Sequence, residues 1–504
     1  MDALVVGSGF GGAVAALRLA EAGVHTVVLE RGRRWAITDA ADTFATSDHP
    51  DGRAAWLSPT TVAAAQQDVA IDVYTGVLER IKAVGIDVMV GVGVGGGSLV
   101  YNAVLYQPPK ELFERVFPTS ISYDEMASVH YPRVRTVIGA APLPDDLLAS
   151  DYYQSARVFL QQAAAAGLPA RLLDLGMDWD VVRQEIAGTK PASAIVGECT
   201  YGMNSGAKNS VDRNYLARAE QTGKVEVLPL HVVTDIAEVD AGLYQVSVNE
   251  IDTTGRVLRN TRFLTPNLFL AAGSPATPAL LVKAKAKGTL ARLPDSIGTK
   301  WGANGDSFGI RAGLPSTAPG GHVGGPASVV VEHFDNPLGP VSLENLPLPQ
   351  ANLPDGTLVT LGMGLHPAKG SLTYDAASDT VRLTWPADDP DVVRVADAAR
   401  ATYDLLNAKN TTDPANPPTT ILFDTTATGH PVGGAPLGEA CTDYGEVHGY
   451  PGLFVVDGSL VPCGSTACTN PALTIAALVE RCMDTIVPRV ASVSVPPARV
   501  PPAG

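Results

Sequence analysis

The chain has 504 residues, 45% of them hydrophobic, and a formal net charge of −16. That length and composition exclude a disordered chain and leave room for more than one domain around a large core. The acidic balance disfavours nucleic acid and anionic membrane surfaces as partners, and the apolar runs are broken by Gly, Pro or charge before they could span a bilayer.

The first strand, Ala3-Leu4-Val5-Val6, runs into Gly7-Ser8-Gly9-Phe10-Gly11-Gly12, then an alanine-rich helical stretch, then the strand Thr26–Leu29 ending at Glu30. Strand, glycine turn, helix, strand and acidic residue together form a dinucleotide-binding unit. In it Gly7 allows the tight turn, Gly9 admits a pyrophosphate to the backbone, and Gly12 lets helix and strand pack closely. The helix N-terminus offers N–H groups to phosphate, and Glu30 stands where a carboxylate accepts ribose hydroxyls. No secretory leader precedes the strand, so the chain reads as cytoplasmic or as a secreted mature form.

A polar stretch from Arg31 to about Pro59 reads as a loop, and Asp72–Asp87 as a short helix with a connector. The run from Val88 to Leu99 is half Gly and Ser; it cannot hold a stable helix and suits backbone laid against a flat ligand. From about Tyr123 to Ile195 the apolar spacing is helical, most clearly over Tyr152–Ala166. Strands follow at Val225–Leu228 and Tyr244–Val248, with Ile251–Arg262 a hairpin of the same sheet, and an apolar strand in Asn267–Ser274 precedes a helix. Residues 300–425, rich in Gly and Pro, read as a mostly antiparallel sheet with strands at Ser328–Glu332 and Thr357–Gly364. Leu453–Ser459 contains a buried strand, Pro471–Met483 a helix, and residues 494–504 a Pro-rich tail. The five cysteines (Cys199, Cys441, Cys463, Cys468, Cys482) include no CxxC pair and read as free thiols rather than a metal site; a Cys463–Cys468 bridge stays open for an exported chain.

The opening unit alone does not choose between nicotinamide and flavin. Later segments do: Gly93-Val94-Gly95-Gly96-Gly97-Ser98-Leu99-Val100, Leu268–Ser274, Trp301-Gly302-Ala303-Asn304-Gly305, His430-Pro431-Val432-Gly433-Gly434, Val456–Pro462 and Asn470-Pro471. With Val5–Gly12 and Glu30 they make the chain resemble the glucose-methanol-choline (GMC) oxidoreductases, in order and spacing, over almost its whole length. Within that family the resemblance is to members that oxidise 3-hydroxysteroids such as cholesterol. It implies an α/β fold: an FAD-binding Rossmann-like domain of the glutathione-reductase type from residues 1–122, 196–298 and 426–493, and a discontinuous substrate domain from 123–195 and 299–425, built on a mostly antiparallel sheet plus helices.

The resemblance also implies the site. FAD contacts fall on Gly7, Gly9, Phe10, Gly11, Gly12 and Glu30, on Gly95, Gly96, Gly97 and Ser98 beside the flavin ring, on Val233 at the adenine, and on Gly273, Asp457, Gly458, Asn470 and Pro471. No histidine lies near Gly97–Asn102, so the FAD is expected to be non-covalent. The helix starting at Pro471 would aim its N-terminus at the flavin's pyrimidine edge. The catalytic set implied is His430 for the hydroxyl proton, Asn470 as hydrogen-bond donor and Glu344 for shifting a double bond. Two positions depart from the steroid enzymes: Gly429 replaces an aromatic residue, and Tyr101-Asn102-Ala103-Val104 replaces Asn-Gly-Gly-Met. The expected partners are an apolar alcohol, a sterol first, and molecular oxygen, on a chain favoured as a monomer. Rival readings are a dehydrogenase or oxidase of another cyclic or apolar alcohol, and a flavin-binding protein without turnover.

Overall fold

The computed structural model describes residues 1–62, 68–349, 353–365, 367–423 and 427–493; the Pro-rich tail lies outside them. Two sheets carry most of the residues of functional interest. The first is five-stranded, wholly parallel, in the order Val225–Leu228, Thr26–Leu29, Ala3–Val6, Leu268–Leu270, Leu453–Val455. Its central strands are apolar on both faces, as a sheet covered on both sides requires. Strands from the start, middle and end of the chain thus meet side by side, and the turns after Val6, Leu270 and Val455 emerge along one sheet edge.

The helix Phe10–Glu21 packs against the helix Pro471–Val493, which runs ten residues beyond its expected end. Between them the buried Glu480 takes both Nε and Nη2 of Arg18 at 2.7 Å and the Tyr215 hydroxyl at 2.8 Å. This bidentate pair fixes one helix against the other, since a buried carboxylate is tolerated only when its oxygens are occupied.

The second sheet is six-stranded and antiparallel, in the order Thr419–Phe423, Ser307–Ala312, Leu358–Gly364, Val341–Asn345, Val329–His333, Ala170–Leu172. One face carries Val329, Val331 and Leu343 into a core shared with the helices Gln154–Ala166 and Pro390–Lys409. On the other, residues alternate to present Phe308, Ile310, Leu346, Val359 and Leu361 as a separate apolar cluster with Leu348 and Leu353. Glu344 stands in register with Leu361, and Leu361 with Phe308, so the carboxyl shares this second face.

Three expectations fail. Residues 72–87 form no helix: Leu78–Lys82 is a strand paired antiparallel with Asp87–Gly91 around a turn at Gly85. Its apolar residues Leu78 and Ile81 are three apart, a helical spacing, and fall on opposite faces of the strand. Ala170–Leu172, inside the stretch read as helical, adds the edge strand of the antiparallel sheet. Conversely, residues 390–409 of the region read as sheet form a 20-residue helix, capped by the Asp389 carboxylate on the Asp391 N–H and started by Pro390. The five cysteines are free thiols, Cys463 and Cys468 included. Among the described residues, no helix is long and apolar enough to cross a membrane.

Candidate active site

The dinucleotide turn is built by close backbone approach. A Cβ on Gly7 would lie 2.2 Å from the Ala271 carbonyl oxygen, one on Gly12 2.1 Å from that of Gly7, and one on Gly11 1.8 Å from that of Val456. These three glycines are packing requirements, with Gly7 also at positive φ (99°). Gly9 starts the helix with no side-chain cap, leaving its first N–H groups facing outward. The second glycine run lands on the first: a Cβ on Gly96 would meet the Gly9 Cα at 2.7 Å. Gly97 and Gly273, in contrast, have nothing within 4 Å of where a Cβ would stand.

Ser8 joins the two runs. The Gly95 N–H donates to its hydroxyl at 3.1 Å, and that hydroxyl donates to Glu30 Oε2 at 2.6 Å. Glu30, buried, also accepts the Ser8 and Gly32 amides. Ser98 is fully committed within the protein, donating to the Gly95 carbonyl and accepting the Val211 N–H. Val233 lies on the strand His231–Asp240, whose first amide donates to the Glu30 carbonyl. Asp457 accepts the Gly273 N–H, the Thr277 hydroxyl and the Ser459 N–H, tying the turns after Leu270 and Val455 together. Phe10 stacks edge-on against Tyr101 at 5.3 Å.

The His430 segment is held by backbone. Val432 and Gly302 exchange hydrogen bonds, and the Gly433 N–H donates to the Gly458 carbonyl. Gly433 is at φ 84°, where a Cβ would lie 2.1 Å from the Lys300 oxygen, so His-Pro-Val-Gly-Gly folds back as only glycine allows. The imidazole Nδ1 lies 2.8 Å from Asp306 Oδ1, and Asp306 is fully buried. Burial pulls the His430 pKa down, but the Asp306 charge and hydrogen bond outweigh it and hold the imidazole above its ordinary value. Sequence reading missed Asp306, which directly follows the Trp301–Gly305 motif; its pairing with His430 is a contact between distant parts of the chain.

Glu344 and Asn470 meet: the Asn470 amide donates to Glu344 Oε2 at 3.2 Å. Asn304 brings Asn470 there, donating to the Thr469 carbonyl and accepting the Thr466 N–H and hydroxyl. Glu344 is completely buried, and burial drives its carboxyl up to about 7, the Asn470 bond pulling it back only in part. His430 and Asp306 both act on its charge, His430 lowering and Asp306 raising the carboxyl's pKa. Glu344 Oε1 and Asn470 Oδ1 are buried without a hydrogen-bond partner, as is Asn102 Oδ1 just past the second glycine run. Orphaned polar atoms, uncapped helix ends and open glycine faces are what a large polar cofactor with a flat ring would fill. FAD therefore fits the residues present. The structure brings together His430, Asn470 and Glu344, and separately the two glycine runs with Glu30, Gly273 and the Asp457–Gly458 turn.

A parallel sheet with a glycine turn, a second glycine run laid on it and a partly buried histidine held by a carboxylate define a flavin-dependent oxidoreductase. The chain matches the family description "GMC oxidoreductase" over residues 367–478 and "NAD(P)-binding Rossmann-like domain" over residues 5–63. It is 26% identical to a cholesterol oxidase of Mycobacterium tuberculosis, covering 95% of this chain and 90% of the relative. It is 25% identical to one of Acinetobacter baumannii, with coverages of 96% and 94%. An FAD-dependent oxidoreductase from Chaetomium thermophilum shares the fold at a TM-score of 0.66 and 13% identity, over 97% of this chain and 99% of that one. Along nearly its whole length this chain is similar to GMC oxidoreductases, and its cofactor is FAD.

Proposed function

We propose that the chain oxidises the secondary alcohol of a 3-hydroxysteroid, with oxygen as final acceptor giving peroxide, and then shifts the product's double bond. The observation that carries this reading is the fully buried Glu344 beside Asn470 and His430, at one end of the apolar sheet face formed by Phe308, Ile310, Leu346, Val359 and Leu361. FAD, held non-covalently by the glycine turn, Glu30, the Gly95–Gly97 run and the start of the Pro471 helix, supplies the acceptor for the hydride of the carbinol carbon. His430 takes the hydroxyl proton at Nε2, the Asn470 amide orients the substrate oxygen, and the apolar face excludes water and seats the ring system. Glu344 removes a proton from the carbon between ketone and double bond and returns it further along. The division into FAD-binding and substrate-binding units belongs to the same proposal.

Glu344→Gln leaves alcohol oxidation within several-fold of the parent but stops isomerisation. The check is product absorbance: conjugated ketone formed at the normal rate by the variant removes Glu344 from the assignment. The same variant reports on stability. The folded pKa of Glu344 is raised from 4.5 to about 7. The stabilising contribution of the protonated form is therefore complete below 4.5 and lost as pH rises through 7. Glu344→Gln should gain in melting temperature over the parent between pH 5 and pH 8; a pH-independent difference contradicts the assigned shift.

A further inference from the structure

We propose that Asp306 is a positioning residue that fixes the His430 tautomer, leaving Nε2 unprotonated toward the substrate and making the ring a stronger base; this rests on the reading above. Both hydrogen-bond partners of Asp306 Oδ2 are donors. Oδ1 faces His430 Nδ1 at 2.8 Å, and Oδ2 accepts the Thr428 hydroxyl at 2.8 Å and the Gly429 N–H at 3.1 Å. Thr428 closes the circuit by accepting the His430 N–H at 3.0 Å, so backbone and ring are referred to the same carboxylate. With Oδ2 already accepting from two fixed donors, the carboxylate is oriented as an acceptor, and the ring nitrogen facing Oδ1 is the one placed to donate. Nδ1 therefore carries the hydrogen and Nε2 the lone pair.

The placement of Asp306 is over-determined. Gly305, at φ 70°, packs so closely on Gly364 of the antiparallel sheet that a Cβ would lie 2.6 Å from its nitrogen. Asp306 is thus anchored where the Trp301–Gly305 turn enters the strand Ser307–Ala312, and it holds a histidine 124 positions away. Among the described residues, the charged groups that act on the His430 ring are Asp306 and, from the strand Val341–Asn345, Glu344. An amide at position 306 could not serve this set: one of its two ends would present N–H to the ring nitrogen or to the Gly429 N–H.

The test is Asp306→Asn in the FAD-loaded protein, read in two ways. In anaerobic stopped-flow with cholesterol, the limiting rate of flavin bleaching falls about 10- to 100-fold. The acid-side midpoint of its pH profile moves down by about one unit, with KM and the flavin spectrum little changed. A purely structural role would not move that midpoint. Independently of turnover, ¹⁵N NMR of the parent's imidazoles, with His430→Gln for assignment, should show His430 protonated at Nδ1 and titrating above 6.5. Loss of that tautomer in Asp306→Asn supports the proposal. An Nε2-protonated His430 in the parent, or an unmoved titration in the variant, overturns it. A parent whose flavin no alcohol bleaches refutes the functional reading instead and leaves the NMR outcome to decide on Asp306.

Discussion

His430→Ala slows substrate-dependent flavin bleaching by about 10²- to 10⁴-fold, the range for loss of a positioned acid–base group, while the protein stays yellow. The two halves of this expectation come from different parts of the structure. His430 is one-fifth exposed and its ring is tied to Asp306, not to the glycine turn that receives the nucleotide. The backbone that holds its segment, Val432 against Gly302 and Gly433 against Gly458, does not depend on the imidazole, so removing it leaves the cofactor cradle standing. Truncation also leaves Asp306 buried with its Thr428 and Gly429 donors but without the ring, a local cost of about 1–3 kcal/mol that the fold can absorb. Stopped-flow reduction and the visible spectrum check both halves. Near-parental bleaching by the variant would remove His430 from the chemistry.

Gly11→Ala abolishes FAD binding. A Cβ there would stand 1.8 Å from the Val456 carbonyl oxygen and 3.2 Å from the Asp457 Cα, both backbone atoms with no rotamer to yield. Ordinary contact distance is about 3.5 Å, so the helix start must withdraw by more than about 1 Å. That withdrawal pulls Gly9 from Gly96 and loosens Asp457 from Gly273, so the phosphate turn, the second glycine run and the late aspartate lose their register together. Overpacking of this kind also costs about 1–3 kcal/mol of stability. Gly97→Ala is the contrasting case. Nothing lies within 4 Å of its Cβ and its φ is not positive, so the apoprotein should melt as the parent does while FAD affinity drops, because the added methyl enters the space reserved for the ring. Isothermal titration with FAD and apoprotein melting curves separate the two. Full FAD affinity in Gly11→Ala would contradict the packing argument.

The sequence made the nucleotide half of the molecule readable because close backbone approach leaves a compositional mark. Gly7, Gly11 and Gly12 are glycine since carbonyl oxygens stand where their side chains would be. The strands Ala3–Val6 and Leu268–Leu270 are continuous apolar runs because both faces are covered. Where the mark is local and short, reading failed. Leu78–Lys82 has only five residues, and its apolar Leu78 and Ile81 stand at a helical spacing. The helix Pro390–Lys409 was hidden by the Gly and Pro around it, although Asp389-Pro390 is a recognisable start. Asp306 escaped because its meaning is purely tertiary: nothing within ten residues of it says that His430 lies 2.8 Å away. The same holds for Ser8, whose hydroxyl couples Glu30 to the Gly95 amide. Glu344 was legible only through resemblance; its depth came from the strands on either side, which supply the burial that raises its carboxyl to about 7.

The central claim is that this pocket passes electrons from an apolar secondary alcohol to bound FAD. It is tested most directly by mixing the purified yellow protein, without oxygen, with a panel of 3-hydroxysterols and simple cyclic alcohols and following the flavin absorbance. The proposed function predicts rapid bleaching by sterols, slower bleaching by small cyclic alcohols that do not fill the Phe308–Leu361 face, and recovery of colour with peroxide release when air is admitted. A protein that holds FAD yet is bleached by no alcohol in the panel would contradict it.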